Sequence, residues 1–187
     1  DYIIQETMKY LESYKDKLIK VYYGDEEKIY DIGYIKAEDE DCIVIKTIDI
    51  DFGLDDGYCT IFKDEIDFIE IDTQDLKDLQ ILIKENSKEN ISNSYIFKNT
   101  KLELSNQNLL INLIKEIMDK KVICKIILSN EEKSAYGFIK EIIDDNKILV
   151  SYFDEKTLID ISNVSTIHVD TISHRENYML DNMKKNY

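Results

Sequence analysis

The sequence predicts a mainly β protein with flanking helices, built as two tandem five-stranded small barrels. Three observations predict it. The hexapeptide D-I-G-Y-I-K at 31–36 is answered by A-Y-G-F-I-K at 135–140, 104 positions further on. Each copy is a stretch of helical period followed by five short β-rich runs. Each copy then closes with another helical stretch, and a polar segment separates the two.

The repeat extends beyond the hexapeptides. At the same offset Lys17 meets Lys121, Ile19 meets Ile123, Glu27 meets Glu131, Gly33 meets Gly137, Ile35 meets Ile139 and Lys36 meets Lys140. One position later in register, C-I-V-I at 42–45 meets K-I-L-V at 147–150. At an offset of 98, I-D-F-I-E-I-D-T at 66–73 meets V-S-T-I-H-V-D-T at 164–171. The change of offset gives the first copy about seven extra residues between its third and fifth strands.

In the first copy Ile4, Met8, Leu11 and Tyr14 share one face of a leading helix. In the second copy Leu109, Leu110, Leu113, Ile114, Ile117 and Met118 form a wider stripe, with Ser105 as the expected N-cap. The β-rich runs are 18–23, 29–36, 42–48, 58–62 and 66–71, then 122–128, 134–143, 147–153, 156–160 and 164–169. The turn signals G-D-E-E, E-D-E-D, S-N-E-E and D-D-N separate them. Thr73 is the expected N-cap of a trailing helix carrying Leu76, Leu79 and Ile83, and S-H-R-E at 173–176 has the form of a capping box between Ser173 and Glu176.

Five short strands cannot make a flat sheet with two covered faces, so curling into a barrel is expected, which also removes exposed edges. Gly33 and Gly137 stand mid-strand, where glycine otherwise weakens a sheet; they read as strand-bend glycines. The expected division is 1–86 for the first barrel with its two helices, 87–104 for the linker, and 105–187 for the second barrel with its two helices. The linker opens on the aperiodic stretch N-S-K-E-N-I-S-N-S at 86–94.

The order helix, β, G-Y-I-K, acidic turn, D-C-I-V-I-K resembles the Sm-like fold, a relative of SH3-like barrels. The run from I-G-Y-I-K through I-D-I-D-F-G-L-D-D-G-Y to D-E-I-D-F-I-E-I-D-T resembles uncharacterised small-barrel proteins of low-GC bacteria. The resemblance implies a fold for about three quarters of the chain and little about function, since small barrels host many functions. It also implies RNA binding as an alternative. The Sm-like pattern asks for Asp six residues after the glycine and Asn ten after it. Asp39 meets the first, but Ile43 stands at the second. In the other copy the two positions hold Ile143 and Lys147, and the pattern's Arg-Gly step corresponds to Lys63-Asp64.

The net charge of −15 disfavours general binding to nucleic acid or to anionic membranes, though it leaves room for a local basic patch. No apolar run approaches the length of a membrane span. The stretch D-Y-I-I-Q-E-T-M-K-Y lacks the plan of a signal peptide, although the first residue is not Met. Cys42, Cys59 and Cys124 lie inside apolar runs and read as reduced core residues, which points to the cytoplasm. Absent proline and abundant Ile, Asn and Lys fit an AT-rich bacterial genome.

Candidate chemistry is sparse. Asp49, Asp51, Asp55 and Asp56 cluster in D-I-D-F-G-L-D-D-G, but Gly53 and Thr60 break the pattern of a calcium loop. The stretch reads as a solvated hairpin turning at Asp56-Gly57. His168, opposite Glu70 in the repeat, reads as a surface histidine, and His174 as part of a helix-capping turn. No phosphate loop, dinucleotide fingerprint or C-x-x-C is present. The sequence therefore assigns no catalytic residue, metal ligand or cofactor. Tyr34 and Phe138, each following a paired glycine, are the candidate interaction surface; strand alternation turns them away from the barrel core, under the leading helix or into solvent. The expected function is that of a cytosolic, non-catalytic interaction or assembly protein with a protein partner, self-association through edge strands included.

Overall fold

The computed structural model describes residues 9–24, 29–89, 94–98, 100–129 and 133–186. Of the expected leading-helix stripe, Ile4 and Met8 lie outside the described residues, as do the paired Glu27 and Glu131. The first half runs α1 (Tyr10–Ser13), β1 (Ile19–Tyr23), β2 (Tyr30–Glu38), β3 (Cys42–Ile48), β4 (Asp55–Phe62), β5 (Ile66–Glu70) and α2 (Gln74–Asn86). The second runs α3 (Leu109–Lys120), β6 (Cys124–Leu128), β7 (Ser134–Ile143), β8 (Lys147–Tyr152), β9 (Glu155–Asp160), β10 (Val164–Val169) and α4 (Ile172–Lys185). One turn of 3-10 helix precedes β5 (Lys63–Glu65) and another precedes β10 (Ile161–Asn163).

The protein is mainly β with flanking helices. Its ten antiparallel strands form one open sheet in the order β5-β1-β2-β3-β4-β10-β6-β7-β8-β9. The expected closure into two separate barrels is not what the hydrogen bonds describe. β4 satisfies its outer edge on β10 of the other half, His168 opposite Cys59 and Val169 opposite Tyr58, instead of returning to β5. An edge strand needs a partner, and here the other half supplies it.

The two halves nonetheless repeat one another in detail. Each has the same strand order, fifth-first-second-third-fourth. The pairing of β2 with β3 shifts register between Ile35 and Ala37, and that of β7 with β8 between Ile139 and Glu141, so Lys36 and Lys140 are the extra residues. Asp72 and Asp170, directly before the trailing helices, both take left-handed backbone, at φ 57° and 54°. A Cβ on Gly33 would lie 2.0 Å from the carbonyl oxygen of Lys46, and one on Gly137 2.3 Å from that of Ser151. No side chain fits at either crossing.

β3 shows how the core is laid out. Its sequence C-I-V-I-K-T-I is buried throughout, as expected of a strand covered on both faces. Ile43 and Ile45 join the core inside the first five strands, with Ile19, Val21, Tyr23, Ile35, Cys59 and Ile61. Cys42 and Val44, on the opposite face, join the largest core, which also holds Leu109, Leu113, Ile114 and Ile117 of α3 and the interior of the second half. β3 is thus the wall between the two cores. The four α3 side chains are fully buried, each worth about 1.5–3 kcal/mol. A third cluster seats Leu76 and Leu79 of α2 on Leu18, Ile32 and Ile48.

The helix starts differ from the expected caps. α3 begins after Asn108, not Ser105, and its first amide, Leu109 N–H, donates to Asp39 Oδ2 at 2.8 Å. α1 is capped by the neighbouring acid: Tyr10 and Leu11 N–H donate to the Glu38 carboxylate at 2.9 and 3.0 Å. The turn after β2 therefore anchors the leading helices of both halves. α4 begins at Ile172, and Thr171 caps it by accepting from His174 N–H at 3.2 Å, so the Ser173–Glu176 box is not used. The left-handed Asp170 ends β10 and hands the cap to the next residue. Thr73 is at the N-cap of α2 as expected, but its hydroxyl is engaged by Asp75. Among the described residues no helix is long and apolar enough to cross a membrane.

Candidate functional site

The two ends of the sheet are the first candidate surface. Among the described residues β5 pairs only with β1, and β9 only with β8. Each carries a large exposed apolar side chain: Phe68 is 52% exposed and Leu158 57%. Isolated edges of this kind are templates for another strand.

The β4–β10 seam has been built for close approach. Gly57 holds φ 75°, and a Cβ there would lie 1.9 Å from the Val169 carbonyl oxygen. Thr166 Oγ1 donates to the Thr60 carbonyl at 2.6 Å, and Asp56 Oδ1 accepts from Ile172 N–H at 2.8 Å. Asp56-Gly57 is therefore not the hairpin turn. The reversal comes earlier, where Asp49 N–H donates to Leu54 O at 2.8 Å and Asp49 Oδ1 accepts from Phe52 N–H at 2.8 Å. Asp49 in the turn and Asp56 in the seam therefore serve separate structural ends.

Arg175 anchors the same region. It is 2% exposed. Its Nη1 donates to the Asp170 carbonyl at 2.6 Å and its Nε to Ile96 O at 2.7 Å. Nη1 also lies 3.0 Å from Asp170 Oδ2, an ion pair without hydrogen-bond geometry. The pair ties the start of α4 and the segment 94–98 to the end of β10. Sequence reasoning noticed the repeated Asp-Thr but not this role, because the partner is a charged residue inside the next helix.

Tyr34 and Phe138 are half-buried, and both pack under the trailing helices, not the leading ones. Tyr34 lies against the Leu76–Leu79 cluster of α2, and Phe138 meets Tyr178 of α4 edge-on, with ring centroids 5.0 Å apart. Lys36 and Lys140 lie over their rings, each 5.7 Å from the centroid. Both aromatics line cavities beside the segment that enters the second half. Tyr34 borders one of about 530 Å³ with Lys36, Lys46, Tyr58 and Lys101. Phe138 borders one of about 400 Å³ with Tyr95, Lys98, Lys101, Lys120, Lys121 and Arg175. This gathering of cations in a strongly acidic chain has no local signature, since it draws on three separate segments.

The Sm-like RNA positions are otherwise engaged. Asp39 accepts from Asp41 and Cys42 N–H, both at 2.9 Å, as well as from Leu109. Burial pushes its carboxyl upward, but these amides outweigh it and hold it below the usual carboxylate range. Ile43 is fully buried, and Lys63 pairs with Glu38 at 2.8 Å.

The three cysteines are free and buried. Burial raises all three thiols, Cys124 to about 12. His174 sits in the α4 cap as expected, edge-on to Tyr136 at 5.3 Å, and burial lowers it to about 4. His168 is not a free surface histidine. It is half-buried at the seam, directly opposite Cys59, and burial lowers its pKa in spite of Asp31 nearby. No family model matches the chain, and no curated protein or solved structure matches it.

Proposed function

We propose that the chain is a tandem of two Sm-like units and acts as a non-catalytic assembly protein that joins copies of itself edge to edge. One observation carries this reading. The contact between β4 and β10 is made once within the chain, and the equivalent strands β9 and β5 are left free at the ends of the sheet. The repeated strand order, register shifts and glycine crossings support the duplication. Carrying the seam register across at the offset of 98 sets Thr157 against Glu70 and Lys156 against Ile71, so Lys156 comes beside the Glu70 carboxylate. Phe68 and Leu158 would be covered by the same pairing. The contact is head-to-tail, the same two unlike edges at every joint.

Sedimentation or light scattering of the full chain tests this at tens of micromolar, where a weak edge contact is populated. A multiple of the chain mass is expected, reduced to a single chain by Leu158→Lys or Phe68→Lys with the melting temperature kept. A wild-type chain that stays single at that concentration sinks the reading.

A second reading, a divergent Sm-like RNA binder, is supported by the cavity that Lys98, Lys101, Lys120 and Lys121 line together with Phe138 and Tyr95. Phosphates and bases are recognised by such a mixture of cations and rings. A single-stranded oligoribonucleotide should then be retained at low salt, released steeply as salt rises, and lost with Lys120→Glu/Lys121→Glu. No retention at low salt removes this reading.

A further inference from the structure

Asp31 of β2, Cys59 of β4 and His168 of β10 come together where the two halves join. One carboxylate oxygen, the thiol sulfur and one imidazole nitrogen all lie within 4.8 Å of one another. The geometry points to a three-ligand site for a zinc-class divalent transition-metal ion, formed by Asp31, Cys59 and His168 and leaving a fourth position open.

The donor set decides the class of ion. Thiolate and imidazole suit zinc, cobalt and their neighbours, whereas calcium and magnesium ask for several oxygens, and this group offers one carboxylate. In a tetrahedral site with metal–ligand distances of about 2.0–2.3 Å, ligand atoms stand roughly 3.5 Å apart. The three atoms, within 4.8 Å of one another, need to draw together by at most about 1.3 Å to reach that spacing. Cys59 Sγ already lies 3.5 Å from Asp31 Oδ2, to which it donates.

The charges balance as well. Binding displaces the Cys59 proton to solvent, and a sulfur–metal bond forms. Thiolate and carboxylate together then neutralise the dication, so no net charge is buried. His168 enters neutral, the form that burial favours. A second layer is in place: Tyr23 OH donates to Asp31 Oδ2, and Thr166 Oγ1 lies 3.6 Å from Cys59 Sγ. Ligating side chains are typically oriented by such outer partners. Cys59 is fully buried, but Asp31 and His168 are part-exposed, which gives an ion a way in. Lys125, opposite His168 on β6, is the one cation paired with a ligand residue in the sheet register. The site takes two ligands from the first half and one from the second, so a bound ion would pin the seam. It stands whether or not chains self-associate.

The test is titration of untagged full-length chain with Co²⁺, then Zn²⁺. Expected are a thiolate-to-cobalt charge-transfer band and visible bands of tetrahedral intensity, displacement of both by Zn²⁺, and a melting temperature that rises with Zn²⁺. Cys59→Ser should abolish the charge-transfer band, while Cys42→Ser and Cys124→Ser keep it. Asp31→Asn and His168→Ala should weaken binding by more than the roughly 10–100-fold that loss of an outer partner costs. These two part-exposed positions decide the matter if Cys59→Ser does not fold. No band in the wild-type chain, a band that follows Cys42 or Cys124, or affinity unchanged in both Asp31→Asn and His168→Ala would overturn the proposal.

Discussion

Gly57→Ala is expected to lower the melting temperature by on the order of 10 °C, read by calorimetry or circular dichroism. Two effects add. The left-handed backbone at φ 75° costs a residue with a Cβ about 1–3 kcal/mol. The new methyl would also sit 1.9 Å from the Val169 carbonyl oxygen, and backbone cannot rotate away as a side chain can. Forcing β4 from β10 adds roughly another 1–3 kcal/mol. Amide exchange of β4 and β10 should accelerate more than that of β7 and β8. Gly24→Ala is the control: its backbone is equally left-handed, at φ 84°, but the nearest atom is Ile29 Cδ1 at 4.0 Å. If the two variants melt within a degree or two of each other, Gly57 does not hold the seam.

The second large effect is at Arg175. Asp170→Asn keeps a residue that tolerates left-handed backbone but removes the charge, leaving a buried guanidinium unpaired. A loss of about 3–5 kcal/mol is expected. Arg175→Met should cost a similar amount, because it strands the Asp170 carboxylate and frees the Ile96 carbonyl. The double variant should be more stable than the sum of the two by over ~1 kcal/mol, since neither charge is then left alone. Denaturant unfolding of the four proteins measures this. Additive losses would mean that the two side chains do not act as a pair.

The strand spans were legible because they are written locally. Alternation and acidic turns located all ten, and the one clear boundary error, at β4, came from reading Asp56-Gly57 as a turn. That error has a physical cause: the same dipeptide that makes a good turn also allows backbone to meet backbone at a seam, and only the distant Val169 tells the two apart. Gly33 and Gly137 were recognised as mid-strand because nothing but close approach explains them there. The single sheet was not legible, since pairing of β4 with β10 joins segments a hundred residues apart. The cap of α3 failed for a similar reason. Asp39 reaches the start of α3 from far along the chain, whereas the box of α4 was displaced locally, by Thr171 two residues before Ser173. Strand alternation placed Tyr34 and Phe138 on the face opposite Ile35 and Ile139 but gave no means of choosing between a leading and a trailing helix. His168 was read from its neighbours in sequence; its neighbours in space, Asp31 and Cys59, belong to other strands.

The β4–β10 joint differs from any joint between chains in one respect that its chemistry does not reveal: its two sides are tethered. Dilution cannot part them, because each sees the other at an effective concentration set by the connecting segment. A contact too feeble to survive between free molecules at micromolar concentration would still be closed most of the time here. The two halves therefore stay joined at any protein concentration, whereas a joint between chains would loosen on dilution.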